Sequence, residues 1–305
     1  MAGLKTAITT MPAVKKIYPE LLPVIATATN KNTLAQVNFI SPKHIPYNLK
    51  ATKKTTSKKA GTFALSAFFS PNVSYNFLKD DDGDRAGRQS HDEDGDDIKK
   101  GEQHQSSQTF GLLVDYNIDG HWNLQSGLAV TNRTIAINPK RIYAANNGNG
   151  SIEYLYNCSS GYTFLSSKFA AAPVAGDSLQ TRETKNTLQY LSIPLLVKYN
   201  FLFQKINLFT SIGTSLNILT KGRLSTKIEA APGSKETTTS TNIIGLKKGF
   251  FSGSVGFGII LPISNKFLFS FTPSYNYALG LSTEEAVVKT YPNAIALATG
   301  LIYKL

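Results

Sequence analysis

The last thirteen residues, Asn293 to Leu305 (NAIALATGLIYKL), constrain the fold more than any other stretch. Ile295, Leu297, Thr299, Leu301, Tyr303 and Leu305 make one mostly large, apolar set, and Ala294, Ala296, Ala298 and Gly300 make the alternate set, small until Ile302 and Lys304. A period of two belongs to a strand. A strand of a soluble sandwich buries its bulky face and carries charge on the other. Here the second face is small and almost uncharged, as the crowded interior of a narrow barrel requires, so the bulky face is the one left for lipid.

The same alternation recurs upstream. Phe63, Leu65, Ala67 and Phe69 with Val73, Tyr75 and Phe77 mark a first strand, with Pro71 expected near a rim. Phe110, Leu112, Val114, Tyr116 and Ile118 mark a second, and after the Asp119-Gly120 hairpin signal a third returns through Trp122, Leu124, Leu128 and Val130. Leu191 to Phe201, Ile206 to Ile218, Phe251 to Leu261 and Phe267 to Leu279 supply four more, and the terminal strand makes eight. Their connections alternate in length: long around Asp80 to Ser107, tight at Asp119-Gly120, long from Asn138 to Lys185, tight near Phe203, long around Lys221 to Lys248, tight near Pro262, and moderate near Ser282 to Tyr291. Short turns on one rim and long loops on the other are what an outer-membrane barrel shows. The expectation is therefore all-β: an eight-stranded, antiparallel, up-and-down transmembrane β-barrel over residues 61–305. A secreted all-β sandwich is the alternative. Tyr75, Tyr116, Trp122, Tyr199, Tyr277 and Tyr303 stand near strand ends, where an amphipathic ring prefers the membrane interface, and are expected to form girdles.

Composition agrees. Charged residues are 17% of the chain, against roughly 25% in ordinary soluble domains. Cys158 is the single cysteine, which excludes an intramolecular disulfide and a cysteine-based zinc cluster. No run of about 18 apolar residues exists to make a membrane-spanning helix.

The net charge of +12 is concentrated at the front, where residues 1–60 hold ten lysines against Glu20. Pro12, Pro19, Pro23, Pro42 and Pro46 break any helix there, so residues 1–60 read as a disordered basic segment, a flexible periplasmic linker with a route to a periplasmic or inner-membrane partner. Such a tail is drawn to any polyanion, and outer-membrane lipid and lipopolysaccharide head groups are the expected ones. Nucleic acid is not expected, because interleaved basic and aromatic residues are lacking. No convincing export signal opens the sequence, and the expectation is that a signal peptide, or a cytoplasmic segment and membrane helix, stands upstream of it.

The segment Leu188 to Phe201 (LQYLSIPLLVKYNF), the Gly-rich strand Gly253 to Gly258 and the ending Gly300 to Leu305 (GLIYKL) resemble the PorT-like outer-membrane barrels of Bacteroidota over about residues 61–305. The resemblance implies an outer-membrane barrel with no catalytic residues to carry over. Some relatives of this type form the C-terminal barrel of dual-membrane-spanning anti-sigma factors, and the basic tail suits the periplasmic linker of such a protein.

Candidate chemistry is sparse. Asp80, Asp82, Asp84, Asp92, Asp94 and Asp96 gather around two glycines in the first long loop, and such carboxylates could supply the oxygens of a weak calcium site, although the spacing is not that of an EF-hand. The alternative is a solvated acidic loop. Asp115, Lys198 and Lys266 fall on the small-residue face and would need an ion pair or a hydrogen-bond network if they enter the lumen. His91, His104, His121 and Cys158 form no nucleophile-and-base constellation, so no enzyme and no cofactor are expected. The expected function is that of a monomeric membrane anchor or sensor with possible signalling to an anti-sigma system. A surface adhesin or a cation- and lipopolysaccharide-binding barrel is the alternative, and an outer-membrane lipid-modifying enzyme comes after both.

Overall fold

In a computed structural model, residues 61–80, 91–103, 105–167, 172–202, 206–231, 234–284 and 286–305 are described. The basic segment 1–60 lies outside the described residues. In chain order the elements are β1 (Thr62–Asp80), α1 (His91–Gly101), β2 (Gln105–Asn117), β3 (Trp122–Ile137), β4 (Arg141–Asn146), β5 (Ile152–Cys158), β6 (Gly161–Leu165), β7 (Ser178–Leu202), β8 (Asn207–Ala231), β9 (Ser234–Ser240), β10 (Gly249–Pro262), β11 (Phe267–Ala278) and β12 (Val288–Lys304).

Eight strands close a ring in the order β1, β2, β3, β7, β8, β10, β11, β12, every neighbour antiparallel. The register fixes the barrel's geometry. From Phe69 of β1, partners followed through Phe110 and Val130 lead to Leu191 of β7. Followed the other way, through Thr299, Phe271, Ile259 and Leu208, they lead to Phe201 of the same strand. Closure therefore staggers the ring by the ten residues between Leu191 and Phe201. With eight strands and ordinary spacings this stagger tilts them by about 40°.

Alternation then sorts the side chains. Leu65, Phe69 and Val73 of β1, Leu112 and Val114 of β2, Leu195 and Val197 of β7 and Ile295 and Leu301 of β12 stand exposed on the outside, with no charge among them. Ser66, Ser70, Asn72, Ser107, Ser192, Ser211 and Ala296 are buried inside. Small residues let the wall draw tight. A Cβ at Gly127 would lie 2.1 Å from the backbone oxygen of Leu112, and one at Gly258 would lie 2.2 Å from the Phe209 ring.

Three features correct the reading from sequence. The ring has the eight strands expected, but the described residues carry twelve strands in all, because the long connections contain β4, β5, β6 and β9. The first long loop contains the helix α1 where irregular backbone was expected. Pro71 lies in the middle of β1, not at a rim. It pairs with Gln108 of β2 and has no recorded partner on β12. An antiparallel residue bonds with one neighbouring strand only, so the missing N–H costs one side of the ladder. Pro194 and Pro273 repeat the arrangement, each keeping one partner, Ser215 and Leu297.

The inserted strands build a second layer on the long-loop rim. β4, β5 and β6 extend from the outer end of β7, and β9 extends from that of β8. The free edges of β6 and β9 meet through side chains: Thr163 Oγ1 lies 2.6 Å from Ser240 Oγ, and Ser167 donates to Glu236 at 2.9 Å. Ile135, Ile142, Tyr154, Tyr156, Leu165, Leu179, Leu224 and Ile228 form the core of this outer roll. It is a compact module whose apolar interior meets the polar lumen below it at Tyr190 and Phe250.

Candidate functional site: a plugged lumen beneath a capped mouth

The short β2–β3 hairpin brings Asp115 of β2 opposite Gln125 of β3, and the β3–β7 ladder sets Gln125 opposite Leu196 of β7, two residues from Lys198. All three polar side chains point inward and meet. Lys198 Nζ donates to Asp115 Oδ1 at 3.0 Å, and Gln125 Nε2 donates to both carboxylate oxygens at 3.0 and 2.9 Å. The side chains of Lys198 and Asp115 are only 9% and 7% exposed, so the charges are compensated by each other and not by bulk water. Lys198 Nζ also stands 5.1 Å from the centre of the Phe209 ring. This layer divides the lumen. One cavity of about 250 Å³, lined by Ser70, Asn72, Thr109, Thr131, Asn217 and Ser252 among others, faces the long-loop side. A second of about 230 Å³, lined by Asn117, Asn123 and Leu305, faces the short-turn side. Lys198 and Ile302 line both. The expectation for Asp115 and Lys198 was right in kind. Lys266 is instead exposed in the β10–β11 turn, its Nζ 6.0 Å from the Tyr303 ring, because it falls past the end of the ladder.

Over the larger cavity the β5–β6 turn folds down as a cap. Asn76 of β1 donates to Ser159 Oγ at 2.7 Å, Thr290 of β12 donates to the Ser159 carbonyl at 2.5 Å, and the Ser159 N–H donates to Glu102 Oε1 at 2.7 Å. Arg133 of β3 donates to Asn76 Oδ1 at 2.7 Å. One turn thus ties together β1, β12 and the segment after α1. The cap is closely packed: Ser159, Ser160 and Cys158 are all buried. Glu102 Oε2 is buried without a hydrogen-bond partner among the described residues, and burial raises its carboxyl above the ordinary range, against the lowering effect of the Ser159 bonds and of Lys140 and Arg133. Burial likewise raises the Tyr156 phenol and pushes the Cys158 thiol up to about 12, which leaves that thiol protonated and unreactive near neutrality. Reading from sequence missed the cap. Its signal was present in the alternation Tyr154, Tyr156, Cys158, then Thr163 and Leu165, around a Ser159-Ser160 turn.

The aromatic residues singled out from sequence fall at the two ends of the apolar wall. At the short-turn end Phe63 contacts Tyr116 at 5.0 Å between ring centres, Trp122 contacts Tyr199 at 4.9 Å and Phe267 contacts Tyr303 at 5.2 Å. At the other end Tyr75 donates to the Tyr275 hydroxyl at 3.0 Å, and Tyr275 stacks on Tyr277 at 6.2 Å. Phe63 and Tyr75 bracket a wall about 30 Å tall at this tilt, near the height of a bilayer's hydrocarbon core.

The acidic cluster is not brought together in any describable way. The side chains of Asp80, Asp92, Asp94 and Asp96, and the whole of Asp82 and Asp84, lie outside the described residues. Among the described residues there is no group of three or more His, Cys, Asp or Glu side chains placed to hold a metal. His104 also lies outside them, as does the side chain of His91, while His121 stacks on Tyr199 at 5.8 Å at the short-turn rim.

Comparison with known proteins adds a family. Residues 52–284 match the family profile described as "Outer membrane protein beta-barrel domain". No curated protein matches the chain. Among solved structures, the attachment invasion locus protein Ail of Yersinia pestis is 13% identical, over 80% of this chain and 100% of that one, with a TM-score of 0.31. Neisserial surface protein A is also 13% identical, over 80% and 97%, with a TM-score of 0.35. The outer membrane protease OmpT of Escherichia coli is 10% identical, over 83% and 99%, with a TM-score of 0.30.

Proposed function

Because the chain belongs to the outer membrane protein β-barrel domain family, we propose that it is a non-enzymatic anchor or sensor of the outer membrane, displaying its outer roll at the cell surface. The single observation that supports this most is the double closure of the lumen. The Asp115, Gln125 and Lys198 layer fills its middle, and the Ser159 turn covers its mouth. A barrel closed in this way does not serve free diffusion of solutes, so function falls to what projects from it. In this reading the barrel is PorT-like and residues 1–60 are a periplasmic tether, suited to linking the barrel to an inner-membrane or anti-sigma partner. Tyr75, Tyr116, Trp122, Tyr199, Tyr277 and Tyr303 are its interface girdles.

The outer roll favours a second reading, a surface binding protein, since thirteen buried residues form its core, of which Tyr190 alone also lines the lumen cavity. The two differ in where deletion hurts. Removing residues 1–60 disables a tether, and replacing β4 to β6 by a short turn disables a binder.

The first experiment is electrophoretic. Protein folded in detergent is run with and without boiling, alongside limited proteolysis. The expected result is a faster-migrating unboiled band that survives protease while the first sixty residues are lost. A protein that is soluble without detergent and migrates identically after boiling would overturn the reading.

A further inference from the structure

The edge of the apolar wall is not the same all round. On β7 and β8 the last apolar outward pair is Leu191 with Ile218. Beyond it the pairs become Gln189 with Lys221, Thr187 with Arg223 and Lys185 with Ser225, and Lys227 follows on β8. Lys185, Lys221, Arg223 and Lys227 are all exposed. Lys185 has Glu183 at 3.4 Å, whereas Lys221, Arg223 and Lys227 have no carboxylate partner among the described residues. Farther out, Glu229 is already engaged with Arg182.

Two properties of this column matter. Lys221 and Arg223 stand two residues apart, Lys227 four residues farther along the same face, and like charges aligned in this way repel each other, which favours an anion held among them. Their height is also particular. At about 2.5 Å of axial rise per tilted residue, Lys221 stands roughly 5 to 8 Å and Arg223 roughly 10 to 13 Å above Leu191 and Ile218. That is the layer in which lipid head groups lie.

We propose that this column is a binding site for the phosphorylated head group of an outer-leaflet glycolipid. Its phosphates meet Lys221 and Arg223, Lys227 adds its positive field from about 20 Å above the wall edge on the same face, the Thr187 and Ser225 hydroxyls contribute hydrogen bonds, and its acyl chains lie on Leu191, Ile193 and Ile218 below. A soluble anion would have the charges but no use for the apolar surface directly beneath them. The inference deepens the outer-membrane reading and rests on it.

The test uses the full chain folded in detergent, with native mass spectrometry reading lipid retention. The probes are bisphosphorylated lipid A, the same lipid with its phosphates removed, and phosphatidylcholine, with inorganic phosphate and a sulfated polysaccharide as competitors. The wild type is expected to retain bisphosphorylated lipid A in preference to the other two lipids. Lys221 and Arg223 are each expected to contribute roughly fivefold, so Lys221→Gln/Arg223→Gln/Lys227→Gln should weaken retention by at least about twenty-five-fold. Lys235→Gln, exposed on the outer roll, should change nothing. Equal retention of the dephosphorylated lipid, an unaffected triple variant, or displacement by inorganic phosphate or polysaccharide at concentrations matched to the lipid would each overturn the proposal. The unboiled band separates the two failures. A triple variant or wild type that keeps its heat-modifiable band but does not discriminate sinks only the lipid site, while loss of that band in the wild type sinks the membrane reading itself.

Discussion

The plug can be tested by taking apart its ion pair. Asp115 and Lys198 are 3.0 Å apart and both side chains are more than nine-tenths buried. At that separation their attraction is about 5 kcal/mol for an effective dielectric constant near 20, and it opposes a desolvation penalty of several kcal/mol for each ion. Lys198→Met leaves a buried carboxylate with only the Gln125 amide and a weak, 3.5 Å contact from Ser66. Asp115→Leu leaves a buried ammonium. Each single change should cost about 3 kcal/mol, the lower end of the range for a broken buried pair, because the two flanking cavities give water some access to the orphaned charge. The double variant Asp115→Leu/Lys198→Met removes both charges and should fall within about 1 kcal/mol of the wild type. The assay is urea unfolding in lipid vesicles, followed by the fluorescence of Trp122, the only tryptophan in the chain. Its place among the short-turn aromatics makes it a reporter of folding that the lumen substitutions do not touch. Single costs below about 1 kcal/mol, or a double variant as unstable as the sum of the singles, would refute the argument. The lumen would then be wet throughout, with the pair contributing little.

Two further outcomes follow from the cap. Cys158, with its thiol raised to about 12 by burial, should resist a thiol reagent in the folded barrel and react fully once the protein is boiled in detergent; labelling of the folded protein would mean that the outer roll opens. Glu102 makes the cap sensitive to pH. Burial raises its carboxyl above the ordinary value of 4.5, so the closed cap binds the proton more tightly than the open one. The stabilisation is therefore complete below that ordinary value and is lost as pH rises through the raised one. Hydrogen-exchange protection of the Ser159 amide should fall across that window, and Glu102→Gln should flatten the dependence. A rise in protection with pH would reverse the assignment.

What the sequence disclosed and what it hid divide along one physical line. The ring strands were legible because lipid imposes the same rule on each of them, large outside and small inside, and the rule survives in the last thirteen residues as clearly as in β2 or β10. The aromatic residues near strand ends were legible in the same way, and they fall at the two ends of the apolar wall; that they act as interface girdles belongs to the proposed reading. The outer roll obeys the opposite rule. Tyr154, Tyr156, Leu224 and Ile228 turn inward because their surroundings are water, so the apolar alternation that marks a lipid-facing strand lower down marks a core-facing one here. β8 passes through both environments without a break. Its outward residues run from Ile212 through Ile218 to Lys221, Arg223 and Lys227, while its inward ones run from Ser211 to Leu224 and Ile228. A bulge at the Gln189–Tyr190 register shift lies at this crossover. Read as one alternating strand it ends at Ile218, and everything beyond looks like loop. Nor could the plug be located from residue types alone, because Asp115, Lys198 and Lys266 had equal claim to it until the register placed two of them across β3 from each other and the third in a turn. The functional residues of this barrel are thus set by depth and register, coordinates that a period of two in a single chain does not carry.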